Sequence, residues 1–435
     1  MIQSFGQILL ATFEGTFPVL VLLLLGMLMT WPKILLPADF RKLSALVFRW
    51  TFPIATVYLL GRIEMTADEG KILGAFFGMI VIDFVICLCI APLMDRNKRN
   101  FLAATVSMWC GTTLTNCVAV GQPIIESIFD AEDAKKYCYL HILPWGVCLI
   151  FYHFMYELWV ALTAADNEEA AEAATSAIPM EPVTQPIGDG TSNAIALASE
   201  RGMSTALTVE HALNPSSKTT QGFVNEQVSN ASASDTKNST RKSKIPYGKI
   251  ICASAIKTMK VPLIIGVLVG LVYMGIATAV PKMRTPPKFI LNFFTLIGSI
   301  TTPVANVMMG LYTMFKIYEI RDEHHAARDN GELSAFNKHI WLEIMRFSVM
   351  TLLRQLITPV IMMFLMHAMK LDAKTIVINT ITAATPTGIL CFVLSDYYKY
   401  GGVNTWMAAV FQMVTMLIVV PTMYYICVAY AGEYE

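Results

Sequence analysis

An all-α integral membrane protein of about ten helices, arranged as two inverted five-helix repeats, is the fold class this sequence predicts. Three observations predict it. The 435 residues are 55% hydrophobic and only 15% charged, with mean hydropathy +0.54. A soluble domain carries about 25% charged residues and needs them to cover its surface. Apolar runs of about 20 residues, the length that crosses a bilayer, fall into two groups of five. The two groups also share landmarks in the same order. Pro18 and Gly26 are echoed by Pro262 and Gly270. Thr51-Phe52-Pro53-Ile54-Ala55 is echoed by Thr301-Thr302-Pro303-Val304-Ala305. Asn116 precedes Pro123 as Asn379 precedes Pro386. Each pair lies roughly 240–265 residues apart, and such self-similarity in a hydrophobic chain points to a secondary transporter.

The apolar runs lie near 6–30, 40–60, 72–94, 101–128 and 136–162, then near 256–279, 287–315, 340–368, 373–396 and 404–430. They define a first membrane repeat at 1–162 and a second at 248–435. The first run is long enough to span and has no basic stretch before it, so it reads as a retained helix rather than a signal peptide. Between the repeats, 163–247 is rich in Ala, Ser, Thr, Asn and Glu. It begins acidic (Asp166, Glu168, Glu169, Glu172) and ends basic (Arg241, Lys242, Lys244). Such a stretch buries too little apolar surface to offset its chain entropy, and reads as a disordered loop. Its many Ser and Thr residues make a kinase a candidate partner, with a simple tether as the plainer reading.

Lys and Arg near the span ends set the orientation. Lys33, Arg41 and Lys42 follow span one, Arg96, Lys98 and Arg99 follow span three, and Lys316, Arg321, Arg328 and Lys338 follow span seven. The basic end of the long loop falls on the same side. The other side has Glu64, Asp68 and Glu69, against Lys282, Arg284 and Lys288. Both termini are therefore expected outside or in a lumen, with the long loop in the cytoplasm. With five spans per half, the repeats must be inverted. The sequons at Asn230 and Asn238 would then be hidden from glycosylation.

The interrupted spans are where chemistry is expected. Span four reads Gly111-Thr-Thr-Leu-Thr-Asn116-Cys-Val-Ala-Val-Gly121-Gln-Pro123, and span nine Asn379-Thr-Ile-Thr-Ala-Ala-Thr385-Pro386-Thr-Gly388. Proline removes a backbone donor and clashes with the preceding turn, so each helix is expected to break or kink there. Breaks within a membrane are tolerated inside protein or beside a wet cavity. Two breaks meeting at the centre would present half-helix N-termini, whose N–H groups and dipoles hold an anion without a charged side chain. Asn116 and Asn379 would add side-chain donors. The plainer alternative is two ordinary kinks in packed helices.

These segments resemble those of the PIN-formed auxin efflux carriers and the wider auxin-efflux-carrier family. Asn116-Cys-Val-Ala-Val-Gly121-Gln-Pro123-Ile-Ile fits the family's Asn-Thr-Leu-Val-x-Gly-Ile-Pro-Leu-Leu pattern in spacing. Pro386-Thr-Gly388-Ile-Leu-Cys-Phe392-Val-Leu is similar to its Pro-Gln-Gly-Ile-Val-Pro-Phe-Val-Phe stretch. Ala305-Asn-Val-Met-Met-Gly310-Leu-Tyr312 and the aromatic run from Trp145 to Glu157 add weaker likeness. The resemblance covers both membrane halves but not the loop. It implies a scaffold domain and a transport domain, with spans four and nine crossing at the substrate site. It further implies elevator-type movement of an organic anion such as indole-3-acetate without sodium, and a homodimer. By position, it puts Asn116, Pro123 and Pro386 in the crossover, and Phe52 and Thr56 along the site from span two; Gly121, Asn379 and Thr385, in the same interrupted spans, are further candidate substrate-binding residues. The family's acid and lysine in span three have no counterpart at 74–79 here. His141 stands where the family has Gln. His141 and Asp83 are the candidate support site, and pH-tuned transport through His141 is an expectation.

Other intramembrane polar groups, Glu14, His153, Glu157, Arg346 and Arg354, are expected to face the bundle interior or to reach the interface; Arg354 is the expected partner of Asp83. The nine cysteines lack metal-ligand spacing and the 26 methionines are scattered, so both read as packing. Equal counts of 32 basic and 32 acidic residues give no support to nucleic-acid binding. There is no Gly-x4-Gly-Lys-Ser/Thr or His-Glu-x-x-His motif, so no enzyme, cofactor or metal centre is expected. The sequence thus predicts a multi-pass exporter of small organic anions, with the plasma membrane favoured over the endoplasmic reticulum. The alternatives are a sodium-coupled symporter of the bile-acid type and a membrane receptor that binds without transport.

Overall fold

Ten spans follow from apolar helices that cannot be covered by water-facing charge. The computed structural model describes residues 4–31, 34–63, 65–95, 97–176, 247–284 and 286–432. Among them, eight helices are long and apolar enough to cross a membrane. Two broken ones complete the set. Span one is Phe5–Thr30, started by a Ser4–Gln7 capping box. Span two joins Pro37–Leu46 to Phe52–Gly61 through a π turn at Val47–Thr51. Span three is Ala67–Met94. Span four is Phe101–Thr113, then Cys117–Gly121 as a π turn running into Gln122–Ile128. Span five is Ala131–Leu140 followed by Ile142–Ser176.

The second half repeats this plan. Span six is Tyr247–Met259 and Pro262–Ala279, span seven Lys288–Asp329. Span eight is Leu333–Leu352, a π turn at Leu353–Ile357, and Thr358–Ala368. Span nine is Ala373–Ala383 and Ile389–Tyr397, and span ten Gly402–Ala431. Span five runs fourteen residues past the expected loop boundary at 162. The reason is local: Ala-Glu-rich sequence such as Glu168-Glu169-Ala170-Ala171-Glu172 favours helix. The rest of the predicted loop, with its proposed kinase sites and both sequons, lies outside the described residues.

The halves interlock. Span one packs along span seven, and span six along span two, so the first helix of each half lies on the second helix of the other. The repeated glycines make these contacts. A Cβ at Gly26 would strike the Val307 carbonyl, and one at Gly310 the Leu23 carbonyl; a Cβ at Gly270 would lie 2.7 Å from Leu60. We take spans one, two, six and seven as one group, although span one also packs on the second half of span four and on span ten. Spans three to five and eight to ten form the other, with span three on the first half of span four and on span eight, and span ten on spans eight and nine. Gly26→Ala should destabilise the protein by about 1–3 kcal/mol, the usual cost of overpacking, read as a lower Tm in detergent. Gly275→Ala, facing open space, is the matched control and should not.

Candidate functional site

The breaks in spans four and nine cross and tie to each other. The Asn116 N–H donates to the Pro386 carbonyl at 2.8 Å, and the Gly388 N–H to the Leu114 carbonyl at 2.7 Å. Thr115 and Thr387 thus form one antiparallel bridge. A broken helix leaves backbone groups that lipid cannot satisfy, and each break serves the other's. Span ten helps from Gln412, whose Oε1 accepts from the Thr387 N–H at 2.7 Å and its hydroxyl at 2.9 Å.

The crossing places the breaks differently from the proline spacing. Pro386 lies in the break of span nine, but Pro123 lies inside the second half of span four, seven residues past Asn116. A π turn absorbs its missing donor and its bulk. The Asn116 carbonyl accepts from both Val120 N–H, at 3.1 Å, and Gly121 N–H, at 3.0 Å. The same device precedes Pro53 and Pro359. The pairing therefore sets Asn116 opposite Pro386, and the matched Asn-to-Pro spacing is not the structural equivalence of the two halves.

The two asparagines consequently differ. Asn379 is wholly buried within the first half of span nine. Its Nδ2 donates to the Thr375 carbonyl at 2.8 Å, and its Oδ1 faces His141 Nε2 at 3.1 Å. That amide orientation makes Nε2 the donor and leaves His141 Nδ1 as an acceptor. Tyr137 to Thr375, Tyr156 to Ser395 and His153 to Tyr398 extend this polar ladder between spans five and nine. Asn116 is also buried, but its Nδ2 has no partner. It stands at the start of a twelve-residue half-helix in which Val120 and Gly121 already donate to the Asn116 carbonyl, so the N–H groups without an intrahelical acceptor are those of Cys117, Val118 and Ala119. That turn, Cys117–Gly121, lies against spans one and seven. A Cβ on Gly121 would come within 3.3 Å of Thr385, so glycine lets the two broken spans close up.

Arg354 of span eight, fully buried, sits behind the crossing. Its Nε donates to the Thr385 carbonyl at 3.0 Å and its Nη1 to the Thr112 carbonyl at 2.7 Å. One guanidinium so caps the C-terminal ends of both first halves, where helix dipoles are negative. Asp83 of span three accepts from the Thr358 hydroxyl at 3.0 Å. The expected partner of Asp83 is Arg354, but the hydrogen bond that the carboxylate accepts comes from Thr358, and Arg354 donates to two carbonyls instead. Arg354 and Gln412 as crossover braces were not foreseen, although each is a polar residue in an apolar run.

Beside the crossing, a small recess is lined by Phe76 and Met79 of span three, Thr113 and Thr115 of span four, and His141 and Trp145 of span five. It is so narrow that little more than a water molecule fits. His141 Nδ1 and Trp145 Nε1 are both buried and unpartnered, one an acceptor and one a donor. The Trp145 ring stacks on Phe52 at 5.8 Å, across the seam between the two groups of spans. Thr56 turns its hydroxyl back to the Phe52 carbonyl at 2.8 Å, and Thr385 turns its own to the Thr382 carbonyl at 2.7 Å.

Among the described residues, ten spans in interlocked halves, with two broken spans braced at the centre, are the build of an integral, multi-pass membrane carrier. The chain matches the model of the membrane transport protein family over residues 11–426. It belongs to that family, which includes the PIN auxin efflux carriers. No curated protein matches it.

Proposed function

We propose that the protein exports small organic anions, auxin-like aromatic carboxylates among them, across the plasma membrane. The group carrying the crossed spans moves against the group of spans one, two, six and seven, as in an elevator. The observation that carries this reading is Asn116: a buried amide donor without a partner, at the N-terminal end of a half-helix, beside the seam. A carboxylate there would take the Asn116 Nδ2 and the first-turn N–H groups, with the half-helix dipole in its favour. An aromatic ring would find Phe52 and Trp145 at the same seam.

Sodium is not needed in this reading, because the donors at the crossing suit an anion and no carboxylate joins them. Liposomes holding the purified protein should take up radiolabelled aromatic carboxylates equally well in sodium and in choline buffer. Flux that vanishes in choline would establish a sodium-coupled symporter instead. Saturable binding with no flux would establish a receptor.

A further inference from the structure

The two groups of spans meet in a polar cluster at the face where span five ends and span six begins. Asp396 closes the second half of span nine. Its Oδ1 accepts from the Tyr312 hydroxyl of span seven at 3.1 Å. Lys316, one turn further along span seven, stands 3.9 Å from the same oxygen. Lys316 is only 15% exposed and also holds Glu319 at 2.6 Å. Lys399 pairs with the other Asp396 oxygen at 3.6 Å. The Tyr312 ring is gripped from both sides of the seam, stacked on Phe392 at 4.9 Å and tilted on Phe40 at 5.4 Å. Next to it, Trp406 Nε1 of span ten donates to the Thr313 hydroxyl at 2.8 Å. Lys257 of span six lies 3.7 Å from Glu157 of span five.

We propose that Tyr312, Lys316 and Asp396 form a latch that holds the two groups together at this face. The inference rests on the reading that the groups move against each other. Its geometry suits a reversible catch. Asp396 ends a nine-residue half-helix followed by a turn through Gly401 at φ +72°, so the carboxylate sits at the tip of the moving element. Tyr312 and Lys316 sit on a continuous helix of the opposing group. The contacts are a hydrogen bond and a loose ion pair at a partly wet edge, strong enough to bias a conformation and weak enough to break in each cycle. The catch would have to open before the crossing could reach the loop face.

Hydrogen–deuterium exchange of the full chain in liposomes tests this without any substrate. Asp396→Ala should speed exchange in peptides covering 312–316 and 396–406 about fivefold, the factor that roughly 1 kcal/mol gives. Tyr312→Phe, which keeps both ring contacts, should do much the same. The double variant should go little further than either one, because both changes remove a shared contact. Unchanged exchange in the single variants, or fully additive effects in the double, would overturn the latch. Carboxylate flux measured on the same liposomes separates the two ideas. No flux in wild type with the expected exchange pattern would sink the transport reading and leave the latch standing. Normal wild-type flux with an unresponsive seam would do the reverse.

Discussion

Arg354→Met should cost about 2–5 kcal/mol of stability and abolish flux. The change leaves the Thr112 and Thr385 carbonyls buried without donors, each a penalty of about 1–3 kcal/mol. It also exposes two negative helix ends to each other and takes the neighbouring positive charge from Asp83. Methionine keeps most of the volume, so packing loss is not the cause. Arg354→Lys should fall between, because a single ammonium on a shorter stem cannot serve both carbonyls in the fork geometry of a guanidinium. Thermal unfolding in detergent reads the first effect and liposome flux the second. A methionine variant with wild-type Tm would show that the Thr115–Thr387 bridge and Gln412 hold the crossing without Arg354.

Asn116→Ala and Asn379→Ala should separate binding from architecture. The Asn116 Nδ2 holds nothing in the protein, so its loss should leave Tm within a degree or two. If the carboxylate takes this donor, affinity should fall about 10- to 100-fold, as for a hydrogen bond to a charged group. Asn379→Ala breaks the links to His141 and Thr375. It should lower stability by about 1–3 kcal/mol. Titrating substrate by calorimetry alongside thermal unfolding distinguishes them. Equal affinity for the carboxylate in wild type and Asn116→Ala would move the site elsewhere.

Much of the fold was legible because its signals are local. Apolar length marks a span wherever it falls, and Gly26 and Gly270 recur because two helix pairs must approach closely at those residues. The centre was less legible. Pro123 reads as a breaker, yet a π turn lets it sit inside a helix, and nothing adjacent in sequence announces that turn. The break instead falls at Leu114–Asn116, where the partner is the carbonyl of Pro386 in the other half. Asn116 and Asn379 look equivalent as letters. Only the contacts with His141 and Thr375 show that one amide is spent on structure and the other is not. Arg354 was visible as an isolated charge in an apolar run, but its two carbonyl acceptors lie on two different spans.

The crossed bridge also bears on how the protein is made. Thr115 leaves the ribosome about 270 residues ahead of Thr387. At about 5–20 residues per second, that delay is on the order of tens of seconds. Throughout it, span four has open backbone groups and no Arg354 to cap its first half. Lipid would be a hostile place to wait. The nascent first half must linger where water or an insertion factor can satisfy Leu114 and Asn116.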